Sequence, residues 1–420
     1  MKSIYTIKRH LESTIETISK QFKCVIVTGP RQIGKSTILN EVLPKIKHFN
    51  YVKLDNDEIV NHAKNDPNGF LDSHPAPLFI DEVQKAPRLF SYIKSIVDRS
   101  DERGQFVVTG SESFELMKGV GDHLSTRAAV ISMQSLSISE INGTENFVFD
   151  PNFAKFLKRK QPSLTQLQIF EKIIKGSMPD IINGNITNNN VFYEAYVKST
   201  ITKDMKEDWV DIKDASKFTK FLKVLSGQVG QIINVKTIAQ LTGISTPTCE
   251  TWIYGLIAMG IIFFVHPYSP NVLTKTTRKP KLYFYDTGLA CYLAEYSDSY
   301  TLMNSEYAGH IFECYVISEL SKSYINASKM KTLYYAKKHD LANGRIKKDY
   351  EIDLIIEGPG GIIYPIEIKK TSTPQTYHFN NAKILIGNTK SKIGIMTLIC
   401  TAPSASTMAP NKLVLPVHWL

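Results

Sequence analysis

One stretch limits more than any other what this chain can fold into. The segment Val25–Leu39 reads VIVTGPRQIGKSTIL and fits the pattern G-x-x-x-x-G-K-[ST] in full. The apolar run Cys24–Val27 predicts a buried strand before it, and residues 36–42 predict the start of a helix after it. Glycines there let the backbone turn tightly, so that successive N–H groups and the helix N-terminus face phosphate oxygens. The stretch is therefore predicted to bind a nucleotide.

Specific contacts follow from this pattern. Lys35 is expected to reach the β- and γ-phosphates of ATP and to act in catalysis, and the Ser36 hydroxyl to ligate Mg²⁺. The predicted nucleotide-binding residues of the loop are Gly29, Pro30, Arg31, Gln32, Ile33, Gly34, Lys35, Ser36 and Thr37.

A second segment supplies groups that hydrolysis needs. PLFIDEVQ predicts a short buried strand that ends in two adjacent carboxylates. Asp81 is predicted to hold Mg²⁺, and Glu82 to polarise the attacking water. The next apolar run ends in a polar tip, where Ser111 is the first candidate to sense the γ-phosphate and Thr109 the second. Capping of the loop is the alternative role for that tip.

Arg127 directly precedes another predicted strand. An arginine at such a place can bind the nucleotide and stabilise transition-state charge, in the same chain or from a neighbouring subunit. The alternative is a structural ion pair, and the sequence does not decide between them.

Near the end of the chain, acidic residues interrupt apolar strands. Asp353 lies in EIDLIIEG, Glu367 and Lys369 lie two residues apart in YPIEIKK, and Glu313 lies on a predicted helix. Residues two apart project from one face of a strand, and buried acids there are costly unless they bind a cation. The interpretation is a catalytic site in which Glu313, Asp353 and Glu367 hold Mg²⁺ and Lys369 activates a water. The alternative is a charged strand face in solvent.

The middle of the chain predicts helices from residue 150 to about 226, then a helix, a turn, a helix and a strand over residues 234–265. A basic segment follows, with Lys275, Arg278, Lys279 and Lys281. The second helix, 246–260, has no Lys or Arg, which argues against sequence-specific DNA reading. Packing or protein contact and non-specific phosphate contact remain equal alternatives.

Several motifs together resemble one family of bacterial and archaeal AAA+-type ATPases. They are GPRQIGKST, LFIDEVQKAPRLFSYIKSIVD, VVTGSESF and LSISE, and the resemblance extends over nearly all 420 residues. It implies a winged-helix segment after the ATPase. The terminal arrangement of helix Glu, strand Asp and Glu-x-Lys is similar to the PD-(D/E)xK nuclease core. Thr126-Arg127 replaces the Gly-Arg usual in the family, and Ser135-Leu136-Ser137 replaces Pro-Leu-Ser.

The expected fold class is α/β. The expected parts are a P-loop AAA+ parallel sheet in residues 1–145, a helical lid in 146–226, a winged-helix segment in 227–290 and a restriction-endonuclease-like α/β domain in 291–420. The expected function is Mg²⁺-dependent ATP binding and hydrolysis that controls a nuclease-like domain acting on nucleic acid. The alternative is an ATP-switched module that binds nucleic acid or protein without cutting.

Composition narrows the setting. A formal charge of +10 favours an anionic partner, with DNA before RNA, while a protein partner stays open. Five scattered cysteines predict a reducing cytoplasm without disulfides or a zinc site. The longest apolar run, Gly255–Val265, is too short to cross a bilayer, so no membrane contact is expected. The oligomeric state cannot be derived from the sequence.

Overall fold

A computed structural model describes residues 7–110, 114–146, 148–149, 162–208, 212, 214–269, 279–329, 332–342, 345–385, 389 and 391–420. Of the predicted residues, Ser111, Lys275 and Arg278 lie outside these ranges.

The amino-terminal part is built on a five-stranded sheet in which neighbouring strands run parallel. Its strand order is β2-β3-β4-β1-β5. The strands are β1 Cys24–Thr28, β2 Asn50–Lys53, β3 Leu78–Asp81, β4 Phe106–Gly110 and β5 Ala128–Ser132. The helices are α1 Glu12–Ser19, α2 Lys35–Ile46, α3 Asp57–Asn65, α4 Pro67–Ser73, α5 Leu89–Asp98, α6 Phe114–Leu124 and α7 Ile138–Ile141.

The central strand β1 is buried along its whole length. Its side chains alternate between two hydrophobic cores, with Val25 and Val27 in one and Cys24 and Ile26 in the other. A parallel sheet that is covered on both faces needs such continuous apolar strands. The strand, loop and helix predicted around the Gly-rich pattern are therefore confirmed.

Helices dominate the middle of the chain. They are α8 Gln166–Lys175, α9 Pro179–Ile182, α10 Asn189–Ala195, a π-helical turn Tyr196–Ile201, α11 Thr202–Asp208, α12 Ala215–Ser226, α13 Val235–Thr242 and α14 Thr246–Ala258. Gly243 ends α13 in the left-handed conformation, and Ser245 caps α14 by accepting from the Thr248 amide. The predicted helix–turn–helix is thus present.

The carboxy-terminal sheet has eight strands in the order β12-β13-β11-β10-β9-β8-β6-β7. They are β6 Ile262–Pro267, β7 Lys281–Phe284, β8 Leu333–Ala342, β9 Arg345–Glu357, β10 Ile363–Lys369, β11 Met396–Cys400, β12 Ser406–Ala409 and β13 Lys412–Pro416. The helices here are α15 Thr287–Leu293, α16 Ser299–Met303 and α17 Ala308–Asn326. Short 3₁₀ segments cover Val83–Lys85, Pro359–Gly361, Thr376–Leu385 and Val417–Trp419.

This sheet crosses a predicted boundary. Strands β6 and β7 fall in the proposed winged-helix segment, yet β6 pairs in parallel with β8 of the following part. One hydrophobic core also includes Val25, Phe170, Trp252 and Ile311, one residue from each predicted part. The parts therefore pack as one continuous body.

A buried ion pair on α17 forms hydrogen bonds that connect the two sheet-containing parts. Lys322 of α17 is 1% exposed, and its Nζ lies 2.9 Å from Glu319 Oε1. Lys322 Nζ also donates to the Leu136 carbonyl at 3.1 Å, and Glu319 Oε2 accepts from the Ile138 amide at 2.6 Å. The end of α17 is thus hydrogen-bonded to the segment that follows β5.

Among the residues that the structure describes, no helix is long and apolar enough to cross a membrane.

Replacing Lys322 by Met should destabilise the fold, because it leaves the Glu319 carboxylate buried without its cation. Breaking one half of a buried pair costs about 3 kcal/mol or more. Urea unfolding should show this loss for Lys322→Met. The double variant Glu319→Gln/Lys322→Met should recover part of the loss, and equal stability of the single variant and the wild type would contradict the prediction.

Candidate functional site

The Gly-rich loop has the backbone shape that its sequence requires. Gly29 and Gly34 have φ of 140° and 91°, and a Cβ at Gly29 would collide with the Met133 carbonyl. Gln32 also has a positive φ, 63°. Such conformations are unfavourable for residues other than Gly and persist where the surroundings enforce them, often at functional sites.

The side chain of Ser36 contacts the acidic strand, and that of Lys35 contacts its own loop. Ser36 Oγ donates to Asp81 Oδ2 at 2.8 Å. A hydroxyl and a carboxylate in contact form the oxygen donor set that Mg²⁺ takes in such sites, so Ser36 and Asp81 fit the metal. Lys35 Nζ donates to the Gly29 and Pro30 carbonyls at 2.9 and 2.8 Å.

The order of the strands places Thr109 beside the two acids. Because β4 lies between β1 and β3, the end of β4 separates the loop from the two acids. Thr109 Oγ1 donates to Asp81 Oδ1 and accepts from the Glu82 amide at 3.2 Å. Thr109 was the second choice for a polar residue at this tip, and the structure gives it contacts to both acids.

Glu82 occupies a left-handed backbone position, with φ of 63°. Its carboxylate accepts from the Gln84 side chain and lines the cleft above the loop. The turn after Asp81 therefore directs Glu82 towards the space where a nucleotide would lie.

The cleft has a volume of about 720 Å³, and the helical part of the chain forms its other wall. Asp180, Asn183, Thr200 and Lys203 line it opposite residues 31–37 of the loop. An ion pair crosses it, with Arg31 Nε 2.7 Å from Asp204 Oδ2. The Gly-rich loop and the helical part thus form the two walls of one site.

Sequence reasoning missed Arg9. This side chain is 6% exposed and lines the same cleft. It donates to the Ile33 carbonyl at 2.8 Å, the Gln134 carbonyl at 2.6 Å and Glu140 Oε1 at 2.9 Å. Its partners lie 24 to 131 positions away, so no local pattern could have indicated this role.

The structure corrects the predicted role of Arg127 in nucleotide binding. Strand β5 runs parallel to β1 with Ala128 opposite Cys24, so Arg127 lies where the strands begin. The loop follows the other end of β1, about 13 Å away for five residues. Arg127 forms an ion pair with Asp98, with NH2 3.1 Å from Oδ2. It is excluded as a ligand of a nucleotide that its own chain binds.

The second predicted site is assembled on β9 and β10. These strands pair antiparallel with Ile366 opposite Leu354, and one further step sets Glu367 opposite Asp353. Lys369 Nζ lies 3.0 Å from Asp353 Oδ2 and 3.2 Å from Glu367 Oε2. The predicted hairpin is confirmed, and these three side chains lie together.

Glu313 approaches from α17. Its carboxylate accepts from Lys281 Nζ at 2.9 Å and from the Tyr283 hydroxyl at 2.6 Å. Burial raises the pKa of Glu313 to about 7, Lys281 opposes this rise, and the charge of Asp353 adds to it. Lys281 and Tyr283 were not predicted to belong to this site.

The position of Lys281 also contradicts its predicted place in a basic wing. It is 2% exposed and forms ion pairs with Glu313 and Glu351, so it is not free to grip a phosphate backbone. Burial alone would lower its pKa, but the two glutamates outweigh burial and raise it.

Glu367 is the unusual acid of the group. It is 3% exposed, and neither oxygen accepts a hydrogen bond of normal geometry, although Lys369 lies 3.2 Å away and Asn381 is near. Burial and the charge of Asp353 raise the pKa of Glu367 well above its ordinary value. The cation that faces Glu367 in this structure is Lys369.

The described residues, however, contain no group of three or more His, Cys, Asp or Glu side chains spaced to hold a metal ion. The metal ligands Glu313, Asp353 and Glu367 therefore remain a prediction.

Comparisons with known proteins divide the chain into three matched stretches. A profile of the AAA domain family AAA_14 matches residues 21–142. Two profiles described as domains of unknown function, DUF8612 and DUF4143, match residues 166–300 and 308–420.

Similar whole proteins are known as well. Uncharacterized proteins of Mycobacterium bovis and Mycobacterium tuberculosis are each 23% identical over 83% of this chain and 71% of their own length. A Walker-type ATPase of Pyrococcus abyssi is 12% identical, covers 69% of this chain and 96% of its own, and has a TM-score of 0.43. With the loop geometry, the AAA match establishes that the amino-terminal part is an AAA-type P-loop ATPase domain.

Replacing Glu82 by Gln should abolish ATP turnover while ATP binding survives, because the amide cannot polarise a water. A loss of about 100-fold or more is expected, measured as phosphate release beside binding of a fluorescent ATP analogue. Arg127→Ala is the matched control and should keep its turnover. Normal turnover of Glu82→Gln would exclude the role of Glu82, and loss in Arg127→Ala would show that Arg127 acts from a neighbouring subunit.

ATP binding should weaken at alkaline pH. Burial lowers the pKa of Lys35 to about 8, against the opposing charges of Glu82 and Asp81. As the pH rises through 8, Lys35 loses its proton and its attraction for phosphate, whereas phosphate itself stays ionised above about pH 6. The dissociation constant of a non-hydrolysable ATP analogue should rise up to about tenfold per pH unit above 8.

Calorimetric titration between pH 7 and 9.5 measures this dependence. Lys35→Met should bind weakly with little dependence on pH. A constant affinity of the wild type over this range would contradict the prediction.

Proposed function

We propose that this chain hydrolyses ATP with Mg²⁺, and that its nucleotide state controls a nuclease-like site on the carboxy-terminal sheet that acts on nucleic acid. The contact of α17 with the ATPase part carries the proposal, since the same helix holds Glu313.

The first step of the proposal concerns hydrolysis. Ser36 and Asp81 would hold Mg²⁺, which would neutralise charge on the phosphates. Lys35 would leave the Gly29 and Pro30 carbonyls and pair with the phosphates. Thr109 would keep Asp81 oriented, and Glu82 would accept the proton of the attacking water.

The second step concerns control. Leu136 lines the nucleotide cleft, and its carbonyl accepts from Lys322. The Ile138 amide, two residues on, donates to Glu319. A shift of this segment on nucleotide binding would act on the buried end of α17, and a rigid helix would transmit it to Glu313.

The third step concerns cleavage. Asp353 and Glu367 would hold a divalent metal, which would supply charge neutralisation and a nucleophilic water at a scissile phosphate. Two acids buried on facing strands, Asp353 and Glu367, support a cation there. Lys369 would move from its ion pairs to position the water.

The favoured substrate is DNA. The positive formal charge of +10 supports an anionic polymer, and Lys338 is exposed on β8 near the site strands. The contact would be made with phosphates rather than with base edges, because the exposed residues of α14 include Glu250, Thr251 and Tyr254 but no basic side chain.

A second function has its own supporting observation. Lys369 lies between the two acids, at 3.0 and 3.2 Å, where a metal would otherwise lie. A site neutralised by lysine would bind without cutting, with ATP as its switch. In that case the carboxy-terminal sheet would recognise nucleic acid or protein.

Cleavage assays decide between these functions. Plasmid and linear DNA would be incubated with the full chain, ATP, and Mg²⁺ or Mn²⁺, comparing the wild type with Asp353→Ala. The nuclease function predicts cutting by the wild type, no cutting by Asp353→Ala, and unchanged ATP turnover in both. Glu82→Gln should alter the rate of cutting, because it holds the ATP-bound state.

If neither protein cuts DNA or RNA, the nuclease function is wrong. DNA binding that persists in the presence of a chelator would then support the binding module.

A further inference from the structure

A cavity of about 630 Å³ lies outside both sites, between α7, α8 and α17. We refer to it as the basic cavity. Its charged lining residues are Lys8, Glu140, Lys172, Lys175, Glu319 and Lys322.

Both acids of this lining already have cations. Glu140 is 2.9 Å from Arg9 Nε, and Glu319 is 2.9 Å from Lys322 Nζ. They therefore cannot neutralise the other lysines of the cavity.

The remaining lysines have no counterion. The side chains of Lys8, Lys172 and Lys175 form no hydrogen bond or ion pair within the part of the chain that the structure describes, and those of Lys8 and Lys175 are exposed. Lys172 is half-buried, and its pKa is lowered by burial and further by the charge of Lys175. Placing two like charges on α8 beside one cavity is unfavourable unless an anion joins them.

A smaller cavity continues this space. It shares Ile138, Asn142, Lys172 and Tyr315 with the basic cavity and is lined further by His418. His418 is 5% exposed, and neither ring nitrogen has a hydrogen-bond partner among the described residues. Buried polar groups without partners are rare, and such a group can serve to bind a ligand.

We propose that the basic cavity binds a small phosphate-bearing organic molecule. Lys172, Lys175 and Lys8 would pair with the phosphate oxygens, and His418 would donate to the same group. Lysine is a common phosphate binder, and small-molecule sites have volumes of about 300–1,000 Å³. Ile138, Ile141 and Ile182 line the wall and would contact the apolar part of the molecule.

The basic cavity is separate from the nucleotide cleft. The two adjoin at Ile7 and Asn183, but none of the residues Gln32–Thr37 lines the basic cavity. A molecule in it would touch the ATPase part through Ile138, the helical part through Lys172 and the carboxy-terminal part through Tyr315. It would therefore stabilise one arrangement of the three parts.

Calorimetry on the full chain tests this inference. The nucleotide cleft is first saturated with a non-hydrolysable ATP analogue and Mg²⁺. Phenyl phosphate and inorganic pyrophosphate are then titrated separately. We expect one molecule of phenyl phosphate to bind per chain. It should bind more tightly than pyrophosphate because its phenyl ring also contacts the apolar wall.

Matched variants locate the binding. Lys172→Gln/Lys175→Gln should weaken phenyl phosphate at least tenfold, while Lys217→Gln/Lys220→Gln, which changes two exposed lysines of α12, should not. Pyrophosphate binding as tightly as phenyl phosphate would overturn the organic part of the inference. No binding, competition with the ATP analogue, or equal weakening by both variants would overturn the site itself.

Discussion

The buried pair of Glu319 and Lys322 is the contact on which the arrangement of this molecule depends. Two opposite charges removed from water stabilise a fold only when each is also hydrogen-bonded. Here the further partners are the Ile138 amide and the Leu136 carbonyl of the ATPase part and the Ser177 hydroxyl of the helical part. The pair can therefore be satisfied only when α17 is docked. Leu136 also lines the nucleotide cleft, so the segment that binds α17 is the one that borders the nucleotide site.

The nucleotide site depends on strand order as much as on its loop. Asp81 receives hydrogen bonds from Thr109 and Ser36 on one side and from Tyr51 on the other, because β3 lies between β4 and β2. The positive φ angles of Gln32 and Glu82 are unfavourable for their residue types, and both lie at the cleft. The sequence predicted the loop and the acids, since both are short local patterns. It named both Ser111 and Thr109 for the polar tip, and the contact of Thr109 with Asp81 exists only once the sheet forms.

In the carboxylate site, buried acids are offset by lysine side chains. Asp353 and Glu367 oppose each other across a hairpin, and Lys369 offsets both. The spacing of Glu-x-Lys predicted this half, because alternate residues of a strand share a face. The other half, Lys281 and Tyr283 around Glu313, comes from β7, and these two residues lie 32 and 30 positions from Glu313. The sequence predicts Lys281 as part of a basic wing, because the segment around it contains no acid. Its partners, Glu313 and Glu351, are distant in sequence and meet it only in the folded chain.

The sequence by itself determined the elements whose cause is local: the glycine turn, the buried strands, the helix caps and the acids at strand ends. Each depends on residues within a few positions of one another, and the AAA-type domain follows from them. The tertiary structure alone decided the place of Arg127 at the far edge of the sheet, the role of Arg9, and the joining of β6 and β8 in one sheet. These results depend on strand order and on contacts between distant residues, such as Arg9 with Glu140, 131 positions apart, and the pairing of His266 with Tyr334. No periodicity or spacing within a short segment carries that information.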